Sequence, residues 1–211
     1  MKKLICLLLL TFSISSAAQR ITTDRARAIS DSLMKIQLGD RLFSHFSLTT
    51  GYYTYTHRNG YELTGSFLEK KKIPKNFKSL HFLYHFTYPD VKGVGGGLWV
   101  IIDENLKLRD SLNFDFIPDF VIDDKPSNYI GVDEALKIAS ANFKEKGLEI
   151  TQPELSYNSK RKLYTYKVFN KTTKTINAMG KDAGEMEVIE INSLTGSVEE
   201  LLKGYYGVII R

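Results

Sequence analysis

The chain has 211 residues, of which 43% are hydrophobic and 12% aromatic, so it can bury one large core or two small ones. Its formal charge of +5 at pH 7 is too small to indicate nucleic acid as a partner. A single cysteine excludes an intrachain disulfide, so the stability of the fold must come from packing.

Residues 1–18 show the pattern of a secretory signal peptide. Two lysines precede an apolar segment at residues 4–12, and small residues lead to an expected cleavage before Gln19. The apolar segment is shorter than the roughly 20 residues of a membrane-spanning helix, so we expect no stable membrane anchor after cleavage. Cys6 would leave with this peptide, which removes thiol catalysis and cysteine-ligated zinc. The sequence therefore predicts an exported protein, periplasmic or extracellular.

Residues 19–114 are predicted to form a first α+β unit that begins with a helix. Thr22 or Thr23 can cap the N-terminus of this helix, and Gly39 can end it. Apolar residues recur at helical spacing between these ends, at Ala26, Ile29, Leu33 and Ile36. This spacing predicts that one face of the helix is buried.

Four strands are expected after this helix. The first two, at 52–56 and 61–68, are joined by an Asn-Gly turn that is typical of a hairpin. The third, at 80–88, alternates between an aromatic face and a mixed face. The fourth, at 98–102, runs into a turn at 103–106 that contains no Thr-Gly pair. Together with the helix, these strands indicate an antiparallel sheet that is covered on one face.

A basic cluster precedes the third strand. Its members are Lys70, Lys71, Lys72, Lys75 and Lys78. Such a cluster could meet an acidic polymer or anionic lipid, but a solvated loop is the favoured interpretation.

The segment 115–128 is predicted to be a linker between two units. It contains two prolines and several aspartates, which do not easily continue a strand or a helix. Asp119, Asp123 and Asp124 lie in this segment, but their spacing matches no calcium-binding loop of the EF-hand type. Two units side by side is the favoured interpretation, and one continuous sheet shared by both halves is the alternative.

Residues 129–211 are predicted to form a second helix-plus-sheet unit. The helix is expected to begin after Gly131 and to run about four turns to Gly147, with its apolar residues along one stripe. Strands follow at 163–169, 185–192 and 197–202, and a Ser-Leu-Thr-Gly turn joins the last two. We therefore expect an antiparallel sheet with the helix on its apolar face.

Two stretches of this second unit resemble the PepSY family. They are Ile-Gly-Val-Asp-Glu-Ala-Leu-Lys-Ile-Ala at 130–139 and Val-Ile-Glu-Ile-Asn-Ser-Leu-Thr-Gly-Ser-Val at 188–198, with Asn192 at the position where the family turn usually has Asp. The resemblance covers about a third of the chain. It implies a non-catalytic module of an exported protein, with peptidase inhibition or regulation as its role.

The first half is similar to a degenerate copy of this unit. The two helices begin 109 positions apart, at 23 and 132, whereas the final turns lie 90 positions apart, at 105 and 195. The difference fits an insertion in the first copy, near the lysine-rich hairpin.

No catalytic motif is recognisable, and we expect no enzyme activity, no cofactor and no metal site. His81 and His85 share one face of a strand but lie about 13 Å apart along it, which is too far to share a metal ion. The glycines at 93–97 are not followed by the Lys-Ser or Lys-Thr of a phosphate-binding loop, so they predict a mobile hairpin loop.

A tyrosine-rich hairpin is the candidate partner-binding surface. Tyr52, Tyr53, Tyr55 and Tyr61 carry large rings with a polar tip, a composition that is common at recognition surfaces. Strand alternation predicts that Tyr53 and Tyr55 are buried and that Tyr52 points outward.

Together these patterns predict an exported, non-enzymatic α+β protein of two PepSY-like units that binds another protein. The resemblance implies an extracellular peptidase as the partner. The alternative is a protein that binds a small ligand or a cell-envelope polymer, in a cleft between the two sheets lined by Tyr and Lys side chains.

Overall fold

The computed structural model describes residues 21–67 and 72–207. The predicted signal peptide, Lys70 and Lys71 lie outside the described residues, as do the last four residues of the chain. The described residues form an α+β fold with antiparallel sheets, which confirms the predicted fold class.

The described residues form three helices and ten strands. In order they are α1 (Thr23–Phe43), β1 (Phe46–Thr56), β2 (Glu62–Ser66), β3 (Phe77–Thr87), β4 (Gly95–Asp103), α2 (Asp119–Ile122), α3 (Val132–Asn142), β5 (Glu149–Ile150), β6 (Glu154–Asn158), β7 (Leu163–Lys171), β8 (Thr175–Ile176), β9 (Asp182–Asn192) and β10 (Val198–Tyr206). The first sheet has the strand order β2-β1-β3-β4, and the second has the order β10-β9-β7-β5 with β6 also paired to β7. The short strand β8 pairs with β9. The described strands thus form two sheets and no continuous one.

Each sheet contains a meander that follows a helix. In the second sheet, each strand of the series β6, β7, β9 and β10 pairs with the next one. In the first sheet, β1, β3 and β4 are neighbours in chain order, and the chain then turns back to an isolated bridge between Ile102 and Leu108. Strand β2 is additional, and it lies close to where the sequence predicted an insertion.

Helix α1 has the predicted start, and its predicted apolar stripe is buried or half-buried except at Ile36. Thr22 is the N-cap, and its hydroxyl accepts the N–H of Arg25 at 3.2 Å. Ala26 is buried, and Ile29 and Leu33 pack half-buried against the core. Ile36 is 79% exposed, so its predicted place on the buried face was wrong. Gly39 breaks the helix with a φ of 73°, after which the chain returns to a helical path as far as Phe43.

Helix α3 begins after Gly131 as predicted but ends earlier than predicted, at Asn142. Phe143 adopts an extended conformation, so the helix has 11 residues and about three turns instead of four. The backbone N–H groups of Lys144 and Glu145 each donate to the carboxylate of Glu187 on β9, at 3.1 Å. A tertiary contact therefore ends the helix before Gly147 is reached.

The predicted linker 115–128 is packed into the core over its first half, 116–121, whereas 122–128 are exposed. Phe116 and Phe120 are buried in it, and α2 lies within it. Pro118 does not prevent this single turn of helix because it occupies the N-cap position, where no helical N–H is lost. The hydroxyl of Tyr164 on β7 donates to the carbonyl of Phe116 at 2.7 Å. The second sheet is thus bonded directly to this connecting segment.

Candidate functional site

The two faces of the first sheet have different roles. Leu80, Phe82, Tyr84 and Phe86 alternate along β3 on the inner face and are all buried. The intervening residues of β3 form the outer face, which no described helix covers. This confirms the predicted aromatic face of the third strand and leaves the mixed face toward solvent.

Three aromatic side chains meet on this outer face and form what we call the aromatic platform: Tyr52, His81 and Trp99. Tyr52 on β1 is the cross-strand partner of His81 on β3, and Leu83, two residues further along β3, is the partner of Trp99 on β4. The rings of Tyr52 and His81 are stacked, with centroids 4.3 Å apart and planes within 9°. Trp99 lies edge-on to Tyr52 at 5.7 Å and is 43% exposed, which is unusual for such a large apolar ring.

The stacked pair presents ring edges to solvent. Its 4.3 Å spacing is close to the roughly 4.8 Å between neighbouring strands, and side chains stand roughly perpendicular to a sheet. The rings of Tyr52 and His81 therefore stand side by side, each covering one face of the other. Trp99 supplies the largest accessible apolar surface of the platform.

A chain of hydrogen bonds holds His81 in place. Its Nε2 lies 2.7 Å from the Ser79 hydroxyl, which lies 2.8 Å from the Thr54 hydroxyl. Burial lowers the pKa of His81, the Arg109 guanidinium adds to this effect, and Glu62 opposes it. The lowered pKa favours the neutral imidazole at pH 7, and covering this form with a partner does not require the burial of a charge.

A polar cavity of about 440 Å³ adjoins the platform at one end of the sheet. Ser79 contributes to its wall, together with the charged residues Glu62, Lys78, Asp103 and Arg109. Hydrogen bonds from backbone N–H groups in the turn after β4 hold the pKa of the Asp103 carboxyl below its usual value. The platform thus has an apolar centre and a rim that carries both signs of charge.

A second cavity of about 300 Å³ lies on the other side of Trp99, between the two sheets, and we call it the intersheet cleft. Gly97 and Trp99 line it from β4, Tyr157 lines it from β6, and Lys162 lines it from the turn after β6. The Lys162 ammonium is paired with the Asp115 carboxylate at 2.8 Å. A cleft of this kind, with Tyr and Lys in its walls, was the site expected for a small ligand.

The glycine run contributes to strand β4, and its prediction as a mobile hairpin loop was wrong for Gly95, Gly96 and Gly97. Only Gly93, with a φ of 95°, lies in the preceding turn. A Cβ on Gly96 would lie 2.7 Å from the ring of Phe116. The small residue at this position allows the connecting segment to pack directly on the strand.

The structure places the four predicted tyrosines in different surroundings, with only Tyr53 and Tyr55 in ring contact, at 5.8 Å. Tyr52 belongs to the platform, whereas Tyr53 is 1% exposed on the inner face and Tyr55 is half-buried, as strand alternation predicted. Tyr61 is 72% exposed in the loop between β1 and β2, away from the platform rings. Sequence reasoning missed the contribution of His81 and Trp99, because only the register of β1, β3 and β4 brings them together.

The other predicted candidates do not form a shared site. Asp123 is paired with Lys125 at 2.8 Å, and Asp124 lies 3.9 Å from Arg41, so the aspartates of 115–128 face different partners. Within the described ranges, no group of three or more His, Cys, Asp or Glu residues is arranged to hold a metal ion. The described lysines of the basic cluster, Lys72, Lys75 and Lys78, are exposed.

Comparisons with known proteins do not identify a family. No family model matches the chain, and no curated protein matches it. Among solved structures, a candidate lipoprotein from Clostridium difficile 630 matches with a TM-score of 0.28 and 9% identity, over 88% of this chain and 94% of that one. This likeness is too weak to indicate a shared fold. Among the described helices, none is long and apolar enough to cross a membrane.

Proposed function

We propose that this protein is an exported, non-catalytic binding module that holds another protein against the aromatic platform. The observation that carries this proposal is the exposed Trp99 beside the stacked pair of Tyr52 and His81, on the uncovered face of a sheet. Aromatic residues at the centre of a patch, surrounded by polar side chains, supply most of the binding energy in protein interfaces. The platform and its charged rim match this arrangement.

The ring geometry favours a protein over a sugar polymer on the platform itself. Sugar rings stack on the open faces of aromatic side chains, but the stacking of Tyr52 on His81 already occupies one face of each ring. A protein partner can pack apolar side chains against ring edges and place backbone groups near the hydroxyl of the half-buried Thr54.

The partner class comes from the PepSY resemblance of 130–139 and 188–198, which remains a prediction. On that basis the proposed partner is an extracellular peptidase, and the proposed effect is inhibition or regulation of its activity. Such a protein must be exported to meet its target, and the predicted signal peptide at residues 1–18 would deliver it there.

A panel of secreted metallopeptidases tests this proposal. The chain lacking residues 1–18 would be immobilised, and both the binding and the peptide-hydrolysis rate of each enzyme would be measured. We expect Trp99→Ala to weaken the complex by at least tenfold, since a central aromatic contributes about 2 kcal/mol or more to such an interface. Tyr205→Ala is the matched control, because Tyr205 is 68% exposed on the second sheet, and its removal should leave the affinity unchanged.

Two results would contradict the proposal. One is the absence of any complex together with unchanged hydrolysis rates across the panel. The other is a complex that Trp99→Ala and Tyr205→Ala weaken equally, since binding would then not depend on the platform.

The intersheet cleft supports a second function, the binding of a small ligand or of a cell-envelope polymer. Its volume of about 300 Å³ is at the lower end of the range for ligand pockets. Trp99 is the one tryptophan of the chain and lines this cleft, so its fluorescence would report ligand entry during titration with soluble cell-envelope oligosaccharides. Tyr157→Ala separates the two functions, because it alters the cleft and leaves the platform rings intact.

A further inference from the structure

The second sheet carries a buried polar group beyond the end of α3. Val168 and Ile189 are cross-strand partners that are fully buried on the side of the sheet that α3 covers. The next pair on the same side, Asn170 and Glu187, is also buried, but it lies where α3 has already ended. An apolar face therefore gives way to a polar one on the same strands.

Glu187 is 1% exposed, and its two carboxylate oxygens have different environments. Oε2 accepts the backbone N–H groups of Lys144 and Glu145 at 3.1 Å and the side-chain amide of Asn170 at 3.3 Å. Oε1 is buried and has no hydrogen-bond partner among the described residues. A buried carboxylate oxygen without a donor is costly, so this atom is the expected position for a ligand that donates a hydrogen bond.

Glu187 lines a cavity of about 340 Å³, which is large enough for a small organic group. Glu145 and Glu185 also line it, and Lys203 is the one basic residue in its wall. Lys203 is the cross-strand partner of Glu187 but is paired with the carboxylate of Glu145. Three carboxylates and one ammonium leave the cavity with an excess of negative charge, which favours a cation.

The chemistry of the wall distinguishes between classes of cation. Across the described ranges, no group of three or more His, Cys, Asp or Glu residues is placed to hold a metal ion, so a divalent metal lacks its ligands. The unpartnered Oε1 of Glu187 requires an N–H or O–H donor. A cation that carries N–H groups meets both requirements.

We propose that this cavity binds a primary ammonium group, which donates a hydrogen bond to Oε1 of Glu187 and is attracted by Glu145 and Glu185. A lysine side chain of a peptide and a free aliphatic amine share this chemistry and are the two sources that an experiment must separate. The site lies on the second sheet and does not depend on the platform or on its proposed partner.

Calorimetric titration of the chain lacking residues 1–18 at pH 7 tests this site. The probes are n-butylamine, putrescine and Nα-acetyl-lysine methylamide, with tetramethylammonium and calcium chloride for comparison. We expect the amines to bind. Tetramethylammonium should bind at least tenfold more weakly, because it has no N–H group. The ratio between the affinity for the lysine derivative and the affinity for the free amines then shows whether the cavity prefers a peptide lysine or a free amine.

Three variants locate the binding. Glu187→Gln keeps an oxygen for the three donors at Oε2 and places an amide N–H₂ toward the cavity, so it should weaken amine binding at least tenfold. Glu104→Gln removes the same charge from an exposed turn of the first sheet and should change binding less than twofold. Lys203→Met removes the competing ammonium and should tighten binding several-fold. Because the Lys203 side chain is 73% exposed, this variant remains informative if Glu187→Gln fails to fold.

A map of backbone amide shifts provides a check that needs no variant. Amine addition should shift the amide signals of Lys144 and Glu145, which share the carboxylate of Glu187. The proposal is overturned if no amine binds to the wild-type chain, or if tetramethylammonium or calcium binds at these amides as well as the amines do. It is also overturned if both Glu187→Gln and Lys203→Met leave amine affinity unchanged.

Discussion

The hydroxyl of Tyr164 connects the two halves of the fold, and its removal tests how much that connection contributes to stability. This hydroxyl donates to the carbonyl of Phe116 at 2.7 Å and accepts the N–H of Gly95 at 3.1 Å. Phe116 belongs to the segment between the sheets and Gly95 to strand β4, whereas Tyr164 is on β7. Tyr164→Phe removes only the oxygen atom and leaves the Phe116 carbonyl and the Gly95 N–H without this partner.

The expected loss follows from these two hydrogen bonds. Each buried hydrogen bond contributes about 1 kcal/mol net, so Tyr164→Phe should lower the free energy of unfolding by about 2 kcal/mol. For a chain of this length, that corresponds to a fall in Tm of roughly 4–8 °C. Urea denaturation followed by circular dichroism, together with calorimetry, would measure both quantities.

Tyr157→Phe is the matched control. The ring of Tyr157 lies 5.3 Å from that of Tyr164, so both variants lose a phenolic oxygen in the same neighbourhood. Tyr157 is half-buried, and its variant should remain within about 0.5 kcal/mol of the wild type. If both variants lose the same stability, the hydrogen bonds across the two halves do not contribute as argued.

Three further predictions concern stability. Gly96→Ala should lower the free energy of unfolding by about 1–3 kcal/mol, because its Cβ would clash with the ring of Phe116. Gly97→Ala, on the open face of β4, should be nearly neutral. Equal losses of the two variants in urea denaturation would contradict this account. Thr22→Ala should cost about 1 kcal/mol through loss of the helix cap, and Thr23→Ala should cost less, as chemical denaturation would show. Burial raises the pKa of Tyr164 to about 12, so its contribution to stability is complete below the unfolded pKa of about 10 and is lost as the pH rises toward 12. Between pH 10 and 12 the free energy of unfolding should fall less in Tyr164→Phe than in the wild type. An equal fall in both would refute the assigned role of the Tyr164 hydroxyl.

Most elements could be predicted from the sequence because their signals are local. The start of α3 after Gly131 and the turn at 193–196 follow from residues that lie within a few positions of each other. The end of α3 could not be predicted in this way. The local signal pointed to Gly147, but Glu187, more than 40 residues away, binds the N–H groups that follow Phe143. A tertiary hydrogen bond therefore overrode a local preference.

The candidate site was only partly visible in the sequence. Tyr52 was expected to point outward because side chains alternate along a strand, and the structure places it there. His81 and Trp99 were not associated with it, since they lie 29 and 47 positions further along the chain. Their meeting depends on the pairing of β1 with β3 and of β3 with β4, including an irregularity in the register of β1.

The amino-acid sequence by itself determined the α+β class, the order of the longer helices and strands, and which face of β3 is buried. Those features depend on periodicity and on turn residues, which act over a few positions. Only the tertiary structure decided which side chains meet at the platform, where the cavity beside Glu187 opens, and which backbone groups its carboxylate binds. Contacts of this kind join residues that are distant in the chain, and strand register and packing, rather than local sequence, set their geometry.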